Sequence, residues 1–120
     1  PVAPIVKNVD NIVAIVDYNK KQIDGPTDDV LSLGDLRAKY ESFGWKVWEC
    51  NGNDMQELVD TFNKIRENAH KGQSQILLAH TEMGMGVDFM MGTHKWHGVA
   101  PNDEQAANAL SQLKETLGDY

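Results

Sequence analysis

The sequence predicts an α/β domain in which a parallel sheet is flanked by helices. Residues 12–16 form a continuous apolar run rich in β-branched side chains, which is typical of a strand covered on both faces. Residues 46–50 and 76–79 give two further strands. Segments with helical spacing lie between and after these runs. Because strands that alternate with helices pair in parallel through right-handed crossovers, we expect one parallel sheet.

Apolar spacing and capping signals predict the helices in turn. The first ends at Gly44, and its apolar face comprises Leu36, Tyr40 and Phe43. The second follows a turn in which Asn53 or Asp54 caps the helix. Its apolar face comprises Met55, Leu58, Val59, Phe62 and Ile65. The last begins at Asn102, with Gln105 three residues on. Its apolar stripe comprises Ala106, Leu110, Leu113 and Leu117.

Composition narrows the classes of protein that the chain represents. Its 120 residues suffice for one domain at most. The net charge of -7, without any Lys/Arg run, argues against nucleic acid or an anionic membrane surface as the main partner. No apolar run approaches the roughly 20 residues that span a bilayer. The single cysteine, Cys50, is expected to be a packed side chain and fits a reducing, cytoplasmic location.

Two segments that directly follow strands carry the candidate functional residues. Asp17, Tyr18 and Asn19 end the first strand, and a loop rich in Gly, Met and His spans residues 81–101. In parallel α/β sheets ligands bind beyond the carboxyl ends of the strands, so Asn19 and His97 are expected on the same side of the sheet. The amide oxygen of Asn19 suits magnesium, although an Asx-turn is the alternative. Asp17 could bind an ion or cap nearby amides.

His97 lies in the segment GTHKWHGVAP, residues 92–101. A histidine in a loop bounded by glycines is suited to hydrogen-bonding an anion or moving a proton near neutral pH. The alternative is a surface histidine beside a packed Trp96. Two lysines, Lys20 and Lys21, could attract phosphate, yet lysines in a turn are usually only solvated.

Four segments resemble the thiamine-diphosphate-binding domain of transketolase. They are DYNKKQIDG (17–25), FGWKVWECNGND (43–54), HTEMGMGV (80–87) and KWHG (95–98). The resemblance implies that the Asn19 side chain and the Lys21 backbone carbonyl bind Mg²⁺. It further implies that Ile23 packs on thiamine diphosphate, and that His97 contacts the cofactor diphosphate and the sugar substrate.

The sequence departs from the transketolase pattern in several places. Met83 stands where many relatives have Lys, and Asn53 replaces the His of a Gly-His-Asp turn. Residues 1–120 contain no Gly-Asp-Gly half of the diphosphate motif, and we expect this half and the pyrimidine-binding domain to come from elsewhere. The stretch from Pro1 looks like the tail of an element that begins elsewhere. We therefore expect residues 1–120 to be a single partial domain, the C-terminal portion of a thiamine-diphosphate-binding domain.

The resemblance implies a transketolase-like enzyme, active only in a hetero-oligomer. Complementary chains would supply the Gly-Asp-Gly half and the pyrimidine-binding domain, and the isolated chain would bind cofactor weakly or not at all. The reaction would move a two-carbon ketol unit from a ketose phosphate to an aldose phosphate, with His97 orienting substrate oxygens or relaying protons. The alternatives are another thiamine enzyme, such as deoxyxylulose-phosphate synthase or a dehydrogenase E1 component, and a non-catalytic interaction domain.

Overall fold

A computed structural model describes residues 9–114 and shows the predicted α/β architecture. The strands and helices in chain order are β1 (Val13–Asp17), β2 (Lys21–Gln22), β3 (Gly25–Pro26), α1 (Thr27–Leu31), α2 (Leu36–Ser42), β4 (Lys46–Asn51), α3 (Met55–Glu67), β5 (Gln75–His80) and α4 (Asp103–Gln112). Strands β1, β5 and β4 form a sheet in that order, and both pairs are parallel. A short antiparallel hairpin of β2 and β3 follows β1. The predicted parallel sheet is confirmed.

The helix boundaries follow from the capping groups that the sequence supplies. Asp54, rather than Asn53, caps α3 by accepting hydrogen bonds from the first-turn amides. Asn102 and Gln105 form a reciprocal capping box at the start of α4, as predicted. Gly44, with φ +79°, follows α2 in the left-handed conformation that commonly ends a helix. Side-chain caps therefore fix where α3 and α4 begin.

Each face of the sheet carries its own small core. On the face covered by α2, the buried side chains are Trp45, Val47, Ile76 and Leu78. On the face covered by α3, they are Cys50, Ile65, Leu77 and Ala79. The central strand β5 is buried almost throughout, since it has a neighbouring strand on both sides and a helix on each face. Cys50 is a free, packed thiol, and burial raises its pKa.

The first strand corrects one expectation, because β1 is not covered on both faces. Val13 is 39% exposed and Ile15 is 58% exposed. Strand β1 lies at the edge of the sheet and pairs only with β5 among the described residues. The apolar run is therefore a strand with one side open, because no element within residues 9–114 covers these side chains.

Two of the predicted helix faces are also only partly buried. In α3, Ile65 is buried, but Met55 is 72% exposed. In α4, Ala109 is buried whereas Leu110 is 71% exposed. Only part of each predicted apolar face is therefore packed within residues 9–114. Leu117, Pro1 and Tyr120 lie outside the described residues, and no helix within residues 9–114 is long and apolar enough to cross a bilayer.

Candidate functional site

A cleft of about 450 Å³ opens at the carboxyl edge of the sheet. Its walls come from the segments that follow all three strands of the sheet and from the loop that carries His97. The lining residues are Asp17, Asn19, Asn53, Thr81, Glu82, Met83, Gly84, Trp96, His97 and Gly98. Chain order alone predicted that Asn19 and His97 lie on the same side of the sheet, and the structure places both at this cleft.

Strand β1 delivers Asp17 and Asn19 to one wall. The backbone N–H of Tyr18 donates to the Ala79 carbonyl at 2.8 Å, which extends the pairing of β1 with β5 to its end. The Asp17 carboxylate accepts a hydrogen bond from the Thr81 hydroxyl, so the two strand ends are also linked through side chains. The pairing of two neighbouring strands therefore fixes this wall.

The amide of Asn19 makes the Asx-turn that was the alternative to a metal ligand. Its Oδ1 accepts the backbone N–H of Lys21 at 2.8 Å. Between them, Lys20 has φ +58°, in the left-handed region. The turn does not exclude a ligand role, because an amide oxygen has a second lone pair. The Asx-turn also sets the direction of the Asn19 side chain.

Neither Lys21 nor Ile23 is among the residues that line the cleft, although Lys21 contacts the lining residue Glu82. The Lys21 ammonium donates to the Glu82 carboxylate at 2.8 Å, and its side chain is only 14% exposed. Ile23 lies in the turn of the β2–β3 hairpin and is 68% exposed. The Lys21 ammonium is thus paired with a carboxylate of the same chain, while the role of Ile23 stays a prediction.

His97 lines the cleft from the loop after β5, beside a packed tryptophan. The indole Nε1 of Trp96 donates to the Phe89 carbonyl at 3.0 Å, and the two rings meet edge to face with centroids 5.4 Å apart. The backbone N–H of His97 donates to the His94 carbonyl at 2.9 Å, which closes a turn. His97 itself is exposed. Its imidazole is therefore accessible to a molecule in the cleft.

Two lining residues were not assigned a role at the site from sequence. The backbone N–H of Glu82 donates to Asn53 Oδ1 at 2.6 Å, and its carboxylate accepts the backbone N–H of Gly92 at 2.8 Å. The hydrogen bond from the Lys21 ammonium, and then that from Gly92, hold the pKa of Glu82 below its ordinary value. Asn53, whose departure from the family pattern was expected to affect a turn more than the chemistry, holds the start of the loop after β5. The departure from the Gly-His-Asp pattern was the one signal that marked this position.

The chemistry of the cleft favours a hard cation and an anion. One wall offers amide and carboxylate oxygens, which are donors that magnesium prefers. The other offers an imidazole that can bind an anion or transfer a proton. Within residues 9–114 there is no cluster of three or more His, Cys, Asp or Glu side chains placed to hold a metal ion. A cation here would therefore depend on amide and backbone carbonyl oxygens and on ligands from the anion itself.

The fold and the cleft define an α/β domain with a ligand site at the carboxyl edge of a parallel sheet. Residues 3–118 match the family model of the transketolase, thiamine diphosphate binding domain. The chain belongs to this family.

Several curated proteins and solved structures are similar to this chain. An apulose-4-phosphate transketolase subunit from Phocaeicola vulgatus is 39% identical over 109 residues, covering 91% of this chain and 38% of that protein. The 6-deoxy-6-sulfo-D-fructose transketolase subunit SqwG from Clostridium sp. is 29% identical, covering 91% of this chain and 39% of that protein. The crystal structure of Campylobacter jejuni transketolase matches with a TM-score of 0.82 at 22% identity, covering 92% of this chain and 17% of that one. The chain thus spans less than two fifths of these curated relatives.

Proposed function

We propose that this chain forms part of a transketolase that moves a two-carbon ketol unit from a ketose phosphate to an aldose phosphate. The observation that carries the proposal is the convergence of Asn19 and His97 on one cleft at the sheet edge. Membership of the thiamine-diphosphate-binding family supports it. Two similar proteins are named as transketolase subunits, which supports an enzyme assembled from more than one chain.

Magnesium and the cofactor diphosphate would be held at the β1 wall of the cleft. The second lone pair of the Asn19 amide oxygen and the backbone carbonyl of Lys21 would be ligands to Mg²⁺. Both are neutral oxygen donors, which suit this ion but do not balance its charge. The cofactor diphosphate and a carboxylate from the Gly-Asp-Gly segment of a complementary chain would supply the negative charge. Ile23 would pack on the cofactor from the β2–β3 hairpin.

His97 would bind oxygens of the cofactor diphosphate and of the sugar from the opposite wall. Thiamine diphosphate, when bound, supplies the carbon nucleophile and the electron sink that ketol transfer needs. The protein's own task is then to orient the substrate and to move protons. An accessible imidazole can donate to a sugar or phosphate oxygen, and it can exchange its proton near neutral pH.

The open edge of β1 is where we place a complementary chain. This strand pairs only with β5 among the described residues, and its Ile15 side chain is 58% exposed. An unpaired edge with apolar side chains accepts a further strand. The proposed partners supply the Gly-Asp-Gly half at this edge and a pyrimidine-binding domain over the cleft. The assembly would be a hetero-oligomer, and the isolated chain would bind cofactor weakly or not at all.

Reconstitution with companion chains tests the proposal. Adding thiamine diphosphate and Mg²⁺ should raise the melting temperature of the complex, because a ligand that binds only the folded state stabilises it. Ketol transfer to aldose phosphates should appear in the same mixture. An acceptor preference outside the aldose phosphates would instead favour another thiamine enzyme. If no combination shows cofactor-dependent stabilisation, the chain is a non-catalytic domain and the proposal is wrong.

Substitution of His97 tests its role within the active complex. We expect His97→Ala to lower the turnover number by about 10²-fold or more, as for loss of a group that transfers protons, while assembly is unchanged. His70→Ala is the matched control, because His70 follows α3 at the opposite end of the sheet and its side chain is 74% exposed. Sugar kinetics equal to those of the His70→Ala complex would remove His97 from the mechanism.

A further inference from the structure

One acidic residue, Glu82, contacts three separate segments around the cleft. It is the second residue after β5. Its carboxylate Oε1 accepts hydrogen bonds from the Lys21 ammonium and from the Gly92 backbone N–H, each at 2.8 Å. Its own backbone N–H donates to Asn53 Oδ1 at 2.6 Å. We call these contacts with Lys21, Gly92 and Asn53 the Glu82 clamp.

The clamp joins the two walls of the cleft. Lys21 belongs to the hairpin that follows β1, whereas Gly92 begins the segment that leads to His97. Apart from this carboxylate, the hairpin and the stretch from Gly92 are connected indirectly, through the pairing of β1 with β5 and through the loop that follows β5. A single carboxylate that binds both therefore ties the hairpin after β1 to the start of the segment that carries His97.

Lys21 is anchored at both ends. Its backbone N–H is held by the Asn19 amide oxygen at 2.8 Å, and its ammonium is held by Glu82 at 2.8 Å. With its N–H and its ammonium both held, the Lys21 Cα, from which the backbone carbonyl projects, is fixed in position. The paired ammonium is also not free to bind a phosphate, so the contribution of Lys21 to a ligand site is narrowed to its carbonyl.

We infer that Glu82 is a positioning residue that fixes the Lys21 carbonyl and the His97 loop relative to each other. The inference rests on the proposed function, because it assigns the Lys21 carbonyl to the magnesium site. In this proposal Glu82 acts through Lys21 and Gly92 rather than as a ligand of the metal or the substrate. An exposed ion pair alone contributes little to stability, and the Glu82 side chain is 37% exposed. Glu82 is therefore expected to affect the positions of its neighbours more than the free energy of unfolding, and the tests report on those positions.

Hydrogen exchange in the cofactor-free chain tests the clamp directly. In Glu82→Ala, the Gly92 amide loses its charged acceptor, and its exchange rate by NMR should rise about tenfold. Glu82→Gln keeps an oxygen acceptor for Gly92 but loses the charge, so its rate should lie between those of wild type and Glu82→Ala. Glu67→Gln is the matched control, since Glu67 ends α3 and lies away from the cleft, and it should leave the rate unchanged.

A second substitution separates a clamp from two independent contacts. Lys21→Met removes the ammonium but keeps the backbone carbonyl. It should speed exchange at Gly92 in the wild-type background and add nothing in the Glu82→Ala background, because the shared carboxylate is already gone. Additive effects in the double variant would overturn the clamp. The Lys21→Met and Glu82→Gln variants also serve if Glu82→Ala proves too unstable to purify.

Magnesium affinity in the reconstituted complex tests the positioning role. With saturating thiamine diphosphate, Glu82→Ala should raise the Kd for Mg²⁺ about tenfold, since a misplaced carbonyl ligand weakens binding. It should also lower the turnover number at saturating Mg²⁺, since the loop that carries His97 loses its anchor at Gly92. A Kd equal to that of Glu67→Gln would overturn the positioning role. If the wild-type complex binds no cofactor, the proposed function fails, and the exchange rates at Gly92 alone decide whether the clamp exists.

Discussion

Replacement of Gly84 by alanine should destabilise the domain more than its position in a surface loop suggests. Gly84 has φ +70°, and a Cβ added there would lie 2.5 Å from Met90 Cβ and 3.1 Å from the Met90 carbonyl carbon. The left-handed backbone costs an L residue about 1–2 kcal/mol. Forcing the methyl group against Met90 adds about 1–3 kcal/mol. The stiffer unfolded chain offsets about 0.4–1 kcal/mol. We therefore expect a loss of about 3 kcal/mol.

Gly72 provides the matched control for this experiment. It also has a positive φ, +81°, but a Cβ there would meet no atom within 4 Å. Gly72→Ala therefore carries the backbone cost without the steric cost, and the net loss should be about 1 kcal/mol. The difference between the two variants, about 2 kcal/mol, measures the overlap with Met90.

Urea unfolding followed by far-ultraviolet circular dichroism gives both free energies of unfolding. The slope against urea should be the same for wild type and both variants, because the surface exposed on unfolding is unchanged. If Gly84→Ala and Gly72→Ala lower the free energy of unfolding equally, within about 0.5 kcal/mol, the Met90 side chain moves aside without measurable cost. The reasoning that the close approach of Gly84 to Met90 fixes this part of the cleft would then be refuted.

Two further predictions concern groups outside the cleft. A hydrogen bond with His80 holds the pKa of Glu49 below its ordinary value of 4.5. The unfolded state therefore takes up this proton first, so the stabilisation is present above about pH 4.5 and is lost as the pH falls through the folded-state pKa. Urea midpoints between about pH 6 and pH 3 should fall less steeply in Glu49→Gln, and an unchanged slope would contradict this. Gln75, 1% exposed, donates to the Ile65 carbonyl and accepts from the Trp48 indole N–H, both at 2.9 Å. Gln75→Ala should cost about 1–3 kcal/mol in the urea assay, because the Trp48 indole N–H loses its acceptor while the Ile65 carbonyl keeps the backbone N–H of Asn68 as a donor. A loss under about 0.5 kcal/mol would mean that water replaces the lost acceptor.

The sequence predicts the parallel sheet well because short strand-like runs alternate with segments of helical spacing, and both patterns are kept in the fold. It does not predict the β2–β3 hairpin or α1, since strands of two residues and a helix of five are too short to show a period. The sequence also predicts, wrongly, that β1 is covered on both faces. A continuous apolar run looks the same whether its partner belongs to this chain or to another. The exposure of Ile15 is therefore a property of the surroundings, which no local pattern records.

The candidate site is predicted to a different extent for each residue. Asn19 and His97 could be placed on one edge because each follows a strand, and strand direction is fixed by topology. Glu82 could not be found in this way. Its partners Lys21 and Gly92 lie 61 and 10 residues away, and a single glutamate beside a glycine-rich loop has no characteristic pattern. Contacts that depend on side chains from separate loops appear only in three dimensions.

The two walls of the cleft are held by different kinds of structure, and this difference bears on the proposed activity. The Asn19 wall continues a paired strand, through the hydrogen bond from Tyr18 to Ala79. The His97 wall is a loop held between Gly92, bound by Glu82, and Trp96, bound by the Phe89 carbonyl. A metal and diphosphate site needs fixed ligand distances, which a strand end provides. A residue that meets sugars in the course of a reaction can be carried by a loop with a few anchors. Because the Gly92 anchor depends on one carboxylate, loss of Glu82 should loosen the His97 wall while the pairing of the strands stays intact.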